Sequence, residues 1–142
     1  MSKTKVMVFG TFDILHLGHL HFFRAAKKYG DELIVVVARD INAQRTRKDK
    51  PWNDENARVD FLTAIKDIDQ VELGSETDPY EVIRKIRPET IALGYDQKLY
   101  VDDLANALMN MGLEKTAIVR LSPFQPERYK SSYIKNYCSK NT

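Results

Sequence analysis

The chain has 142 residues, of which 43% are hydrophobic and 30% are charged, and its formal net charge is +2. This ordinary composition predicts one globular domain over residues 1–142, and so small a net charge does not indicate a nucleic-acid binder. No apolar run approaches the roughly 20 residues of a membrane span, no signal-peptide pattern is present and Cys138 is the single cysteine, so we expect a cytoplasmic protein with no membrane partner and no internal disulfide.

Strands and helices alternate along the chain in the hydrophobic pattern. In the first half of the chain the pattern predicts a strand at 5–9, a helix near 19–29, a strand at 32–38, a charged loop at 39–53 and a helix from about 54 to 66. In the second half it predicts a strand at 70–73, a helix opened by Pro79 and strands at 90–94 and 116–121 with a helix between them. A final helix is predicted from about Ser131. Loops as long as the one at 39–53 are usually functional or disordered.

Apolar residues at helical spacing predict the buried faces of two helices. In the helix at 54–66 they are Ala57, Phe61, Ala64, Ile65 and Ile68. In the helix after residue 100 they are Val101, Leu104, Ala105, Leu108 and Met111, and Gly112 can end that helix in a left-handed cap.

A strand–helix–strand order repeated along the whole chain predicts an α/β protein, with a parallel sheet covered by helices on both faces. The unbroken run "LIVVVA" at 33–38 agrees with this, because an inner parallel strand is buried on both sides. Ligands of such sheets bind beyond the carboxyl ends of the strands. The residues that follow each predicted strand are therefore the first candidates for a functional site.

The stretch "GTFDILHLGH", Gly10 to His19, follows the first strand and leads into the first helix. Gly10 and Gly18 allow a ligand to approach the backbone, and amides at a helix start favour anions. His16 and His19 can present both imidazoles to one side, where a phosphate chain would suit them. For two arbitrary histidines, a capping and a surface role is the alternative. A metal site lacks a third His or Cys at a helpful spacing, and the G-x-G-x-x-G dinucleotide pattern is absent.

As a whole, this stretch resembles the G-T-F-D-x-x-H-x-G-H motif of the cytidylyltransferase-like nucleotidyltransferases. The resemblance implies an HxGH nucleotidyltransferase fold, which is a Rossmann-like three-layer α/β/α arrangement around a five-stranded parallel sheet of order 3-2-1-4-5. It also implies transfer of a nucleotide from a nucleoside triphosphate to a phosphate-bearing acceptor, with release of pyrophosphate. In such a reaction the acceptor phosphate would attack the α-phosphorus in line, and the resemblance implies that His16 and His19 would donate hydrogen bonds to the oxygens that gain charge.

Three later segments extend the resemblance along the chain. "DENARVDFL" carries Arg58, which matches an arginine of the family, and "LGYDQ" follows the fourth strand, where the family has a glycine and an aspartate beside the nucleotide. "YKSSYIK" matches the C-terminal motif whose Ser or Thr residues open a helix beside the triphosphate, although Lys130 and Tyr133 depart from its usual form.

The resemblance assigns His16 and His19 as catalytic residues. It implies ATP-binding roles for Gly10, Thr11, Phe12, His16, Leu17, Gly18, His19, Arg58, Gly94, Asp96, Ser131 and Ser132. Cations of the charged loop, namely Arg45, Arg47, Lys48 and Lys50, would neutralise the β- and γ-phosphates together with Mg²⁺ or a similar divalent metal, which protein side chains alone do not bind. Taken singly, Arg58 could be a solvated helix residue, Asp96 a turn residue, the two serines an N-cap and the loop a solvated segment.

Within the family, "DELIVVVARD", "IALGYDQ" and "KSS" resemble the archaeal-type FAD synthases, which use ATP and FMN. The alternatives are a glycerol-3-phosphate cytidylyltransferase that uses CTP, another nucleotidyltransferase of small phosphate acceptors, and a non-catalytic nucleotide-binding module. The R-T-x-G-I-S-T-T pattern of the cytidylyltransferases is missing. Candidates for contacts to the acceptor are Asp13, Trp52, Phe124 and Tyr129, although Trp52 could instead staple the entry to the second long helix. A homodimer is left open.

Overall fold

The computed structural model describes residues 3–46, 50–95, 97 and 101–123. In chain order its elements are β1 (Lys5–Gly10), α1 (Leu17–Lys27), β2 (Glu32–Val37), α2 (Asp40–Thr46), α3 (Glu55–Thr63), β3 (Gln70–Leu73), α4 (Glu81–Ile86), β4 (Thr90–Leu93), α5 (Val101–Asn110) and β5 (Ala117–Arg120). The five strands form one sheet.

The sheet has the order β3-β2-β1-β4-β5, and each neighbouring pair is parallel. Met7 of β1 lies opposite Ile34 of β2 on one side and Ile91 of β4 on the other. Residues of α1 and α3 pack on one face of the sheet, whereas α4 and α5 pack on the other. The predicted order 3-2-1-4-5 and the three-layer α/β/α arrangement are thus confirmed.

The inner strand β2 confirms what its apolar run predicts. Its residues from Leu33 to Val37 are all buried, and alternate side chains belong to the cores on the two faces of the sheet. Burial of each Val, Leu or Ile side chain contributes roughly 1.5–3 kcal/mol relative to its exposure. Side chains of β2 therefore stabilise both cores, and this packing fixes the position of its carboxyl end.

The prediction of a continuous loop at 39–53 is wrong in its first half. Residues Asp40–Thr46 form α2, in which Ala43 is buried and Asp40 supplies a negative charge to the first turn. One buried alanine in seven residues leaves no apolar rhythm, so the hydrophobic pattern could not reveal this helix. Polar contacts to α3 and to the segment after β3 hold it in place.

The buried face predicted for the helix at 54–66 is wrong in part. Phe61 is 59% exposed and Ala64 is exposed, whereas Arg58 and Leu62 are buried. The reason is that Arg58 occupies an inward position which a search for apolar residues alone does not count. Ile65 packs against the core and Ile68 is buried in it, as predicted.

The end of α5 follows the prediction more closely. Leu104 and Leu108 are buried and Met111 packs against the same core, although Ala105 is exposed. Gly112 has a φ of +73°, which confirms the left-handed cap.

The predicted final helix from Ser131 lies outside the described residues. Among the described helices, none combines the length and the apolar character that a membrane crossing requires.

Candidate active site

The carboxyl ends of β1 and β4 lie side by side, and Gln97 joins them. Its Nε2 donates to the Phe9 carbonyl at 3.2 Å, and its Oε1 accepts from the Gly94 amide at 3.1 Å. Arg120 donates to the Gly94 carbonyl at 2.6 Å and to the Gln97 carbonyl at 2.9 Å. The segments "GTFDILHLGH" and "GYDQ" therefore border one crevice, as the resemblance implies, while Asp96 itself is outside the described residues.

His16 and His19 form a reciprocal cap at the start of α1. Nδ1 of His16 accepts a hydrogen bond from the Gly18 amide at 3.1 Å, and Nδ1 of His19 accepts one from the His16 amide at 3.2 Å. The two ring centroids are 4.0 Å apart. The sequence therefore uses two imidazoles where a helix ordinarily places Ser or Asp at the N-cap and Glu at the third position.

This cap determines where each imidazole carries its proton. A ring nitrogen that accepts a hydrogen bond has no proton, so each neutral ring must hold its proton on Nε2. The first turn of α1 has no acidic residue, so the partial positive charge of its N-terminus is not compensated there. The arrangement combines two Nε2–H donors with helix amides, a donor set suited to the oxygens of a phosphate chain.

Burial lowers the pKa of His16 below the usual value of 6.5. The bond from the Gly18 amide acts in the same direction, because it requires an unprotonated Nδ1. His16 is consequently neutral at pH 7 and keeps the Nε2–H tautomer.

We predict that an NMR titration of His16 has its midpoint below pH 6.5. Since the lowered pKa favours the neutral form in the folded state, the stabilising contribution of His16 is fully present above pH about 6.5 and is lost as the pH falls towards the lowered pKa. The capping variant His16→Asn identifies the resonance by its disappearance. A midpoint at or above 6.5 would contradict the prediction.

The ring of Phe12 packs between Gly10 and His19. Phe12 has a φ of +53°, a left-handed conformation that is uncommon for a large side chain, and its buried ring lies over Gly10. A Cβ atom at position 10 would lie 2.6 Å from Phe12 Cζ, which explains the glycine. The Phe12 ring meets the His19 ring edge to face, with centroids 5.8 Å apart. The ring of Phe12, a residue for which the resemblance implies ATP binding, is therefore packed against His19.

Asp13, predicted to contact the acceptor, has its carboxylate bound by backbone amides of the protein. Its side chain is buried, Oδ2 accepts from the Trp52 amide and Oδ1 from the Asn53 amide, each at 2.8 Å. Asp13 thus fastens the loop after β1 to the segment before α3. Trp52 is 84% exposed, so its indole does not staple the helix entry, and it remains a candidate for contact with the acceptor.

Arg58 is placed beneath the site, with no exposed surface. Its guanidinium donates to the carbonyls of Thr11, Ala38 and Asn53 and to the carboxylate of Asp40. The alternative of a solvated helix residue is therefore wrong, and direct contact with ATP does not fit the burial of this side chain.

A cavity of about 260 Å³ opens at the carboxyl edge of the sheet, on the side of α4 and α5. Its floor is apolar and includes Ile83, Leu93 and Leu104. The surrounding polar groups come from the ends of the strands, from α2 and from the segment after β3: Thr11, Arg39, Asn42, Ser75, Glu76, Thr77 and Gln97.

Sequence reasoning named only Thr11 among these polar groups as a site residue. The segment "GSETDP" at 74–79 follows a predicted strand and is rich in turn residues, and this signal could have found Ser75 and Thr77. Asn42 had no comparable signal, because α2 itself was not predicted.

Several predicted site residues lie outside the described part of the chain, namely Arg47, Lys48, Asp96, Phe124, Tyr129, Ser131 and Ser132. Lys50 is described and exposed, Leu17 is partly exposed at the start of α1, and the side chain of Arg45 is not described. Within the described ranges, no cluster of three His, Cys, Asp or Glu side chains is placed to hold a metal ion.

Comparisons with known proteins agree with this geometry. The family model described as cytidylyltransferase-like matches residues 7–137. A FAD synthase of Thermoplasma acidophilum is 42% identical over 131 residues, which cover 92% of this chain and 91% of that protein. A FAD synthase of Methanosarcina mazei is 46% identical over 110 residues, which cover 78% and 72%. The crystal structure of a lipopolysaccharide core biosynthesis protein from Thermoplasma volcanium GSS1 superposes with a TM-score of 0.82 at 40% identity, covering 87% of this chain and all of that one.

Proposed function

The chain belongs to the cytidylyltransferase-like family of nucleotidyltransferases, and from this premise we propose that it is a FAD synthase, which transfers AMP from ATP to FMN and releases pyrophosphate. The observation that carries the proposal is the capped pair His16 and His19, two Nε2–H donors that follow β1, together with a cavity that has an apolar floor and is lined by the end of the same strand. FAD synthases with 37% to 46% identity over most of the chain support the choice of acceptor.

In the proposed reaction, an oxygen of the FMN phosphate attacks the α-phosphorus of ATP. The new P–O bond forms as the bond from the α-phosphorus to the bridging oxygen breaks, and pyrophosphate leaves with that electron pair. The transition state gains charge on the oxygens of the transferred phosphoryl group, where His16 and His19 would donate from Nε2. The amides at the start of α1 add fixed positive potential without any movement.

The cavity beside β3 suits the flavin part of FMN. An isoalloxazine ring has two wide apolar faces and a polar edge, which match the floor formed by Ile83, Leu93 and Leu104 and the polar rim formed by Asn42 and Ser75. Glycerol 3-phosphate would leave such a floor exposed to water. We therefore assign this cavity to the acceptor, with its phosphate directed towards α1.

In the proposed reaction, a divalent metal would bind together with the triphosphate. The Asp13 carboxylate accepts hydrogen bonds from two backbone amides and is not available as a ligand, and the described residues form no other cluster suited to a metal ion. The described side chains thus do not themselves fit a metal site, and no step is assigned to Mg²⁺. Neutralisation of the β- and γ-phosphates by Arg45, Arg47, Lys48 and Lys50, and contacts from Asp96, Ser131 and Ser132, remain part of the proposal on the resemblance alone.

The proposal is tested by offering ATP or CTP, each with FMN, glycerol 3-phosphate or glucose 1-phosphate. The sugar phosphate is included because the solved relative is named for lipopolysaccharide core biosynthesis. We expect FAD and pyrophosphate from ATP with FMN, detected by chromatography, and little product from the other pairs. CDP-glycerol from CTP, or a nucleotide sugar, in the absence of FAD would overturn the assignment.

A further inference from the structure

Arg58 is the largest of the fully buried side chains among the described residues, and it carries a charge. Its Nη1 donates to the carbonyl of Thr11 at 2.9 Å and to that of Ala38 at 2.8 Å. These carbonyls lie just beyond the carboxyl ends of β1 and β2. A single planar guanidinium thus spans the ends of two neighbouring strands, which a lysine ammonium cannot do with the same geometry.

The other side of the guanidinium connects two further segments. Nε donates to the Asn53 carbonyl at 3.1 Å, and Nη2 donates to Oδ1 of Asp40 at 2.7 Å. Asp40 supplies the opposite charge that a buried arginine requires. Because Asp40 is the first residue of α2 and Asn53 precedes α3, this one side chain holds four segments in a common arrangement.

A second contact from α3 supports the same region. Glu55 accepts from the Asp40 amide at 3.0 Å and from Nη1 of Arg39 at 2.9 Å. Thr11, Ala38 and Arg39 all line the cavity that we assign to the acceptor. The first two turns of α3 therefore fasten, from within the protein, a wall of this cavity.

We propose that Arg58 is a positioning residue that shapes the acceptor cavity by holding the carbonyls of Thr11 and Ala38, and that it does not contact ATP. The assignment of the cavity to FMN rests on the proposed function. The geometry of Arg58 does not, because its burial and its four bonds are properties of the protein alone.

The test is the effect of Arg58→Lys on the binding of each substrate, measured by calorimetry on protein whose folding is verified by circular dichroism. Lysine keeps the charge beside Asp40 but cannot bridge both carbonyls. We expect the dissociation constant for FMN to rise by about tenfold or more and that for ATP to change by less than about threefold, since a small displacement of the wall affects only the ligand that lies against it. The matched control is Arg24→Lys, which alters an exposed arginine of α1 paired with Asp67.

A larger loss of ATP affinity than of FMN affinity would overturn the proposal and restore Arg58 as an ATP ligand. Unchanged affinities with only a lower melting temperature would also overturn it, because the role would then be purely structural. If Arg58→Lys does not fold, Asp40→Asn provides the same comparison, since it keeps the arginine and weakens its hold on α2. If the wild-type protein does not bind FMN, the proposed function has failed. The effects of Arg58→Lys on acceptor affinity and on ATP affinity are then compared with the acceptor that the protein does use.

Discussion

Substitution of His19 or His16 by asparagine is expected to lower turnover by about 10²- to 10³-fold, with a change of less than about tenfold in ATP affinity. Donors that meet charge only as it develops in the transition state contribute little to the ground state. Asparagine is the informative replacement because its side-chain oxygen can take over the acceptor role of Nδ1 in the cap, whereas nothing in it replaces Nε2–H. Steady-state rates and calorimetric affinities on the same preparations measure the two effects separately.

Two further variants separate the catalytic role from the capping role. Glutamine places its amide nitrogen near the position of Nε2, so His16→Gln and His19→Gln should retain more turnover than the asparagine variants. His21→Asn, on the same helix, should leave the rate close to that of the wild type. Equal losses of affinity and turnover in the asparagine variants would show that the pair binds ATP rather than stabilising the transition state.

The fold could be predicted because its signals are local and redundant. The apolar run of β2 and the strand–helix alternation both indicate a parallel sheet, and Gly112 indicates where a helix ends; all three are confirmed. The first helix begins at Leu17 rather than at 19, because His16 forms the cap and the motif itself supplies the first turn. Periodicity alone does not recognise a histidine as a helix start.

The parts that sequence reasoning missed depend on polar contacts between distant segments. Arg58 lies on the inward face of α3 with Leu62, at a position where an apolar residue would be expected, because the carbonyls that follow β1 and β2 accept hydrogen bonds from it there. Asp13 was a candidate for contact with the acceptor and instead accepts bonds from backbone amides some 40 residues away. Hydrogen bonds across such separations leave no periodic trace in a single sequence.

The cavity, too, could not be predicted from the sequence. Its apolar floor comes from α4, β4 and α5, and Leu104 of α5 was predicted as core, but nothing in the hydrophobic pattern separates a filled core from a floor that is left open. Asn42 of α2 and Ser75 of the segment after β3 complete the lining around Ile83 and Leu104. That arrangement is a property of the assembled sheet edge.

The second large effect is expected for Thr77→Trp, which fills this cavity. Thr77 is exposed at the rim, and only its backbone amide, through the Ser75 hydroxyl, takes part in the local turn, so its side chain can be exchanged without loss of that bond. An indole folded onto the apolar floor would bury surface worth roughly 1.5–3 kcal/mol. FMN would have to displace it, which corresponds to a loss of about 10- to 150-fold in FMN affinity.

The affinity for ATP should stay near that of the wild type, because ATP is proposed to bind at Gly18 and the histidine pair rather than on the cavity floor. Thr63→Trp is the matched control, since Thr63 is an exposed threonine of α3 that does not line the cavity. Calorimetric titration of both variants with FMN and with ATP measures how far each substitution changes the two affinities. Unaltered FMN binding to Thr77→Trp, with FAD still formed at the wild-type rate, would place the flavin elsewhere and leave the exposed indole of Trp52 as the next candidate for its contact.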